Sequence, residues 1–121
     1  MTFNFDNERP IYIQLVEQLR IGILTSEFGI GKKIPSVREL AMLAKVNPNT
    51  MQKALVELED EGLLYTERTN GKYVTDNKKL IEKIKKELVE EKVSIFLEDM
   101  KNIGISSDEI INYLKELGGD K

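Results

Sequence analysis

The chain has no cysteine and no histidine among its 121 residues. The first absence excludes a disulfide framework and any thiolate metal site. The second removes the commonest general base and the commonest zinc ligand. Catalysis is left to Asp, Glu, Lys, Ser or Tyr. The dense acid group Glu57, Glu59, Asp60 and Glu61 has no glycine-rich phosphate loop or metal-ligand motif beside it. A solvated helix end explains it better, so the expectation is a protein that is not an enzyme and uses no cofactor. No apolar run approaches the length of a membrane span, and the first residues lack a secretory-signal pattern. The cytoplasm is therefore expected, with no membrane partner. Positive charge is not in excess either. The formal net charge of -3 does not favour nucleic acid over the molecule as a whole.

What is present is concentrated between Lys32 and Gly62, KKIPSVRELAMLAKVNPNTMQKALVELEDEG. Ser36 and Glu39 have the S-x-x-E spacing of a capping box, in which each side chain satisfies a backbone N–H at a helix start. Pro35 favours an extended approach at Ile34. Val37, Leu40, Ala41 and Ala44 follow at helical spacing. Asn47 is a strong N-cap for a second helix, and Pro48 suits its first position, where a missing N–H costs nothing. Met51, Ala54, Leu55 and Leu58 form an apolar stripe at i, i+3, i+4 and i+7. Gly62 suits a left-handed stop. Only Ala44-Lys45-Val46 separates the helices, which leaves room for a tight turn, as in a helix-turn-helix.

With that stripe inward, Asn49, Gln52, Lys53 and Val56 face outward, and Thr50 lies at the edge in the first turn. Asn and Gln bond bidentately to adenine, Lys bonds guanine, and an apolar side chain meets a thymine methyl. A helix-turn-helix brings the first residues of its second helix to base edges. A polar face is also commonly just a solvated face, and spacing alone fits both readings. Charge is local: Lys32, Lys33, Arg38, Lys45 and Lys53 stand against the single acid Glu39 over residues 32–53, and the acid group lies at the far end of the second helix. That helix is expected to meet DNA by its N-terminal end, where the helix dipole also favours phosphate.

Two β-prone runs follow, Leu63 to Glu67 and Lys72 to Thr75, around Arg68-Thr69-Asn70-Gly71. Asn-Gly is a hairpin-turn signal. A helix-turn-helix followed at once by a hairpin is a winged helix, so the expected fold is mainly α with a small β-hairpin. Arg68 is expected at the tip of the wing and Lys72 at its base. Arg68 there reaches a phosphate or a minor groove, or is a solvated turn arginine.

These stretches resemble the GntR type of bacterial transcription regulators. The run from Gly31 to Ala41, GKKIPSVRELA, looks like its signature. Val46-Asn47-Pro48-Asn49-Thr50 and Ala54-Leu55-x-x-Leu58-Glu59-x-x-Gly62-Leu63 continue it, and Pro10-Ile11-Tyr12-x-Gln14-Leu15 matches its opening helix. The Val-Asn-Pro-Asn-Thr segment and the short tail resemble the YtrA-type subfamily, whose members carry a small two-helix dimerisation region in place of a large effector domain. The resemblance implies a homodimeric repressor on a double-stranded DNA operator, often of a nearby transporter operon, and names no effector molecule. By position it implies that Arg38 holds phosphate and reaches the groove. Spacing and resemblance together give an expected DNA-contact set of Arg38, Asn47, Asn49, Thr50, Gln52, Lys53, Arg68, Asn70, Gly71 and Lys72. Pro48 and Gln52 fall where many relatives have DNA-contacting arginines. In the wing, Thr69 replaces the first glycine of the G-x-G that many relatives carry, and Gly71 keeps the second.

The flanks read as helices. Pro10 to Ser26 carries the stripe Tyr12, Leu15, Val16, Leu19 and Ile23, expected to pack on the motif helices. Phe3-Asn4-Phe5 is an extended arm that fits either a partner subunit or its own domain. Asp76-Asn77 caps a helix running to about Asn102. Its stripe of Ile81, Ile84, Leu88 and Ile95 broadens with Val89, Val93, Phe96, Leu97 and Met100, so it needs more than one packing surface. Ser106 and Glu109 form a second capping box before a last helix with Ile110, Ile111 and Leu114. Two such helices cannot hide this apolar surface alone. The expected organisation is a winged helix-turn-helix domain at 1–76 and a two-helix dimerisation region at 77–121. Leu88, Val89, Val93, Phe96, Leu97, Met100, Ile110, Ile111 and Leu114 would lie between two copies. A symmetric dimer suits a pseudo-palindromic operator. The alternative is a winged helix that docks proteins without specific DNA binding, which net acidity also suits.

Overall fold

The structure is a computed structural model that describes residues 1–68 and 70–118; Thr69 and residues 119–121 lie outside the described residues. Among the described residues, five helices and one hairpin follow in order: α1 (Ile11–Leu24), α2 (Val37–Ala44), α3 (Pro48–Asp60), β1 (Leu64–Glu67), β2 (Gly71–Val74), α4 (Lys78–Asn102) and α5 (Ser107–Glu116). The chain divides into two compact units, Met1–Lys83 and Ile84–Lys121, so the boundary falls inside α4.

In the first unit, α1 and α2 both pack on α3, and α3 meets β1. The core takes Leu15, Leu19 and Ile23 from α1, Leu40 from α2, and Met51, Leu55 and Leu58 from α3, with Leu63 just ahead of β1 and Val74 of β2 closing it. The apolar stripes are inside because each repeats at the helical period. Ile81, in the first turn of α4, is also buried. A Cβ at Gly62 would lie 3.0 Å from Leu80 Cδ2, and Gly62 has φ +84°. That glycine serves both the left-handed stop of α3 and the close approach of α4.

Local chemistry fixes the helix ends. Glu39 N–H donates to Ser36 Oγ at 3.1 Å, and Ser36 N–H donates to Glu39 Oε1 at 3.2 Å. The Ser36 backbone bond holds the Glu39 carboxyl below its ordinary range. Asn47 Oδ1 accepts from Asn49 N–H at 2.8 Å. Between α2 and α3 the chain turns through Lys45 at φ 57° and ψ 46°. Val46 N–H returns to Ala41 O at 3.0 Å, which satisfies a carbonyl the helix end leaves open.

The hairpin pairs Leu64 with Val74, Tyr65 with Tyr73, Thr66 with Lys72 and Glu67 with Gly71. The last pair of the register is thus Glu67 with Gly71. Asn70-Gly71 is not a two-residue turn between the strands: Gly71 opens β2, one residue earlier than the expected strand, at φ +95°. A third edge joins the hairpin. Ile34 N–H donates to Lys72 O at 3.0 Å and Val74 N–H to Lys32 O at 2.9 Å, with Lys33 bridged to Tyr73.

The N-terminal arm lies along α1. Gln18 exchanges hydrogen bonds with the Asn4 backbone, accepting at 3.0 Å and donating at 2.6 Å. Gln14 does the same with Asp6, both at 3.0 Å, and also donates to Arg9 O at 2.7 Å. Phe3 and Phe5 stack with centroids 6.1 Å apart. The arm is thus anchored to its own domain.

In the second unit, Gly104 turns the chain at φ +78°, and the capping box of Ser106 and Glu109 starts α5. An apolar groove of ≈ 310 Å³ runs between the end of α4 and α5, lined by Phe96, Met100, Ile103, Ile110, Tyr113 and Leu114 among others. Ile110, expected between two copies, is only 7% exposed. It stands one turn into α5, lines the groove between the two helices, and is spent on the chain's own helix pair. Val89, Val93, Phe96, Leu97, Ile111 and Leu114 remain 40–53% exposed. Leu88 and Met100 are half-buried.

Candidate nucleic-acid interface

The candidate surface is built from the N-terminal turns of α2 and α3 and from the wing. Asn49, Gln52 and Lys53 are exposed on α3, and Thr50 is half-buried at the edge of that face. Their register follows from burial of Met51, Ala54 and Leu55 between them. Val56, 41% exposed, continues the same face. Arg38 is exposed one residue into α2. A groove of ≈ 390 Å³ brings it together with Gln52 of α3 and with Thr66, Gly71 and Lys72 of the hairpin; Pro35, Ser36 and Val37 complete the lining. Three elements meet there because the Lys32–Ile34 edge ties the start of α2 to β2.

The remaining expected contacts lie outside that groove. Asn49, Lys53, Arg68 and Asn70 are exposed elsewhere on the unit. Asn47 is exposed, but its carbonyl oxygen caps α3, which leaves its NH₂ to meet a ligand. Lys72 is turned inward. Its ammonium donates to the Glu59 carboxylate and, at 3.1 Å, to Thr66 Oγ1.

The acid group at the end of α3 is not simply solvated. Glu61 accepts a two-point bond from Arg20, and Glu59 engages Lys72, which leaves Glu57 and Asp60 exposed. The bond to Glu61 raises the Arg20 guanidinium above its ordinary value. The Tyr12 hydroxyl reaches Lys53 O at 3.4 Å; burial, then the charge of Glu57, raises its pKa. Sequence reasoning missed Glu59, Thr66 and the Lys32–Ile34 edge as parts of this surface. The only signal was charge opposition between Glu59 and Lys72, which periodicity does not register.

Among the described residues no helix is long and apolar enough to cross a membrane. Comparison with known proteins gives one consistent answer. Residues 11–74 match the bacterial regulatory proteins of the gntR family. The HTH-type transcriptional repressor YtrA of Bacillus subtilis is 36% identical over 118 residues, which cover 92% of this chain and 86% of that one. A GntR family transcriptional regulator from Listeria monocytogenes superposes with a TM-score of 0.88 at 38% identity, over 93% of this chain and 98% of that one. The AraR DBD, solved in complex with operator ORX1, matches 62% of this chain and 99% of its own, with a TM-score of 0.55 at 27% identity. The chain belongs to the GntR family of bacterial regulatory proteins and is a DNA-binding transcription regulator.

Proposed function

We propose that the protein is a cytoplasmic homodimeric repressor that occupies a pseudo-palindromic operator and blocks a promoter sterically. The observation that carries this reading is the groove in which Arg38, Gln52 and the wing face one another beside the exposed first turns of α3. In this arrangement Arg38 holds a phosphate. Gln52 and Lys53 read base edges in the major groove, and Asn49 and Thr50 supply shorter polar contacts. Arg68, Asn70 and Gly71 bring the wing tip to the flanking backbone or minor groove.

Dimerisation falls to the second unit. Val89, Val93, Phe96, Leu97, Ile111 and Leu114 expose large apolar side chains on two helices, and a second copy is the partner that removes them from water. The repressor name of YtrA supports the direction of control. The YtrA-type likeness favours a transporter operon as the target. The net charge of -3 is no obstacle, since Lys32, Lys33, Arg38, Lys45 and Lys53 stand against the single acid Glu39 over residues 32–53.

Selection of bound duplexes from a random pool is the direct test. The expected result is an enriched inverted repeat, with half-sites about one helical turn apart or a multiple of it. Light scattering should give the mass of two chains. Failure to enrich any duplex would leave the protein-docking alternative.

A further inference from the structure

Lys72 stands where the three elements of the interface converge. Its ammonium donates to the Glu59 carboxylate at the end of α3 and to Thr66 Oγ1 on the facing strand. Thr66 Oγ1 in turn donates to the other Glu59 oxygen at 2.9 Å. The Lys72 carbonyl accepts from Ile34 N–H at 3.0 Å, just ahead of Pro35 and the Ser36 cap. The Lys72 and Glu59 side chains are 13% and 25% exposed, so solvent screens this pair less than an open surface pair. A lysine serving phosphate keeps its ammonium in solvent until DNA arrives. This one is held in a closed triangle of side chains.

We propose that Lys72, Glu59 and Thr66 form a positioning latch that sets the wing against α3, and that Lys72 itself neutralises no phosphate. A hairpin with strands this short is marginal on its own. Fixed to the last turn of α3, it presents its tip at a set distance from the reading face, so both reach DNA in one docking event. The effect on affinity rests on the DNA-binding reading; the latch itself is a property of the free protein.

Electrostatics alone and the latch forecast opposite results. Removing an acid raises affinity for a polyanion, so without a latch Glu59→Gln binds more tightly. With the latch, Glu59→Gln weakens binding on the order of ten-fold. The probe is a duplex recovered from a random pool by the wild-type protein. Lys72→Met weakens binding comparably, with the slope of log affinity on log salt unchanged. A lysine bonded to phosphate would instead take about 0.9 from that slope. The double variant is no weaker than the weaker single one, because either change opens the latch. Lys72→Arg keeps a cation within reach of Glu59 and retains affinity.

In the free full-length protein, amide hydrogen exchange at Tyr65 and Tyr73 speeds up in Glu59→Gln and Lys72→Met, with exchange in α1 unchanged. Tighter binding by Glu59→Gln, a shallower slope in Lys72→Met, or unaltered exchange in the hairpin overturns the latch. A wild-type protein that recovers no duplex overturns the DNA-binding reading instead, and exchange alone then decides the latch.

Discussion

Arg20 and Glu61 meet in a two-point ion pair that ties α1 to the end of α3, with Nε donating at 2.9 Å and Nη2 at 2.5 Å. The side chains are 22% and 27% exposed. Planar fork geometry makes such pairs stronger than single-point contacts. Partial exposure screens this one below a fully buried pair. Arg20→Met is expected to destabilise the first unit by about 1–2 kcal/mol. Urea melts that gave the variant the wild-type midpoint would show the pair to be neutral.

Glu39 gives the structure a pH dependence of known sign. Its folded-state carboxyl is depressed, first by the Ser36 backbone bond and then by the Ser36 hydroxyl. A depressed acid adds stability above its unfolded pKa and loses it as pH falls through the folded value. The start of α2 should therefore weaken below the ordinary glutamate range. Glu39→Gln keeps an acceptor for the Ser36 N–H but no titration. Melting temperatures across an acidic series should fall less steeply for this variant; parallel curves would remove Glu39 as the cause.

Reading and holding separate at Gln52 and Arg38. Gln52→Ala is expected to cost about 1–3 kcal/mol of operator binding and to relax preference at one position per half-site. Arg38→Ala should weaken binding evenly across sequences and reduce the salt slope by about 1. Repeating duplex selection with each variant checks both. An unchanged motif with Gln52→Ala would put another face of α3 against the bases.

The role of the second unit is tested by a fragment ending at Lys83. It retains Leu80 beside Gly62 and the buried Ile81, so it keeps the first unit's own packing. It is expected to fold as a monomer. Losing the tether between two half-sites costs about 10²–10⁴ in affinity. Sedimentation gives the mass, and titration of one- and two-half-site duplexes gives the affinity. A monomeric full-length chain binding as tightly as expected of a dimer would shift α5 to another role.

The helix caps were legible because they are local. Ser36 with Glu39, Asn47 with Pro48 and Ser106 with Glu109 declare themselves within three residues, and each does cap its helix. The outward side of α3 was legible because Met51, Ala54 and Leu55 fix the inward one. Contacts between residues distant in sequence left no periodic mark. Arg20 and Glu61 lie 41 positions apart. The Lys32–Ile34 edge is backbone pairing, to which side-chain pattern is blind. Lys72 looked like a wing cation because charge type carries no direction; only the fold puts Glu59 beside it. Ile110 matched a partner-facing stripe, yet its own helix pair uses it first.

The amide pairs of Gln14 and Gln18 with Asp6 and Asn4 have a consequence for the order in which the arm and α1 become fixed. The two glutamines sit one helical turn apart, and only a formed α1 spaces them to match alternate residues of an extended strand. The arm therefore has nothing to bind until α1 is helical, and α1, too short to be stable by itself, waits for α3. The residues ahead of α1 are in this way fixed only after the helix that holds them.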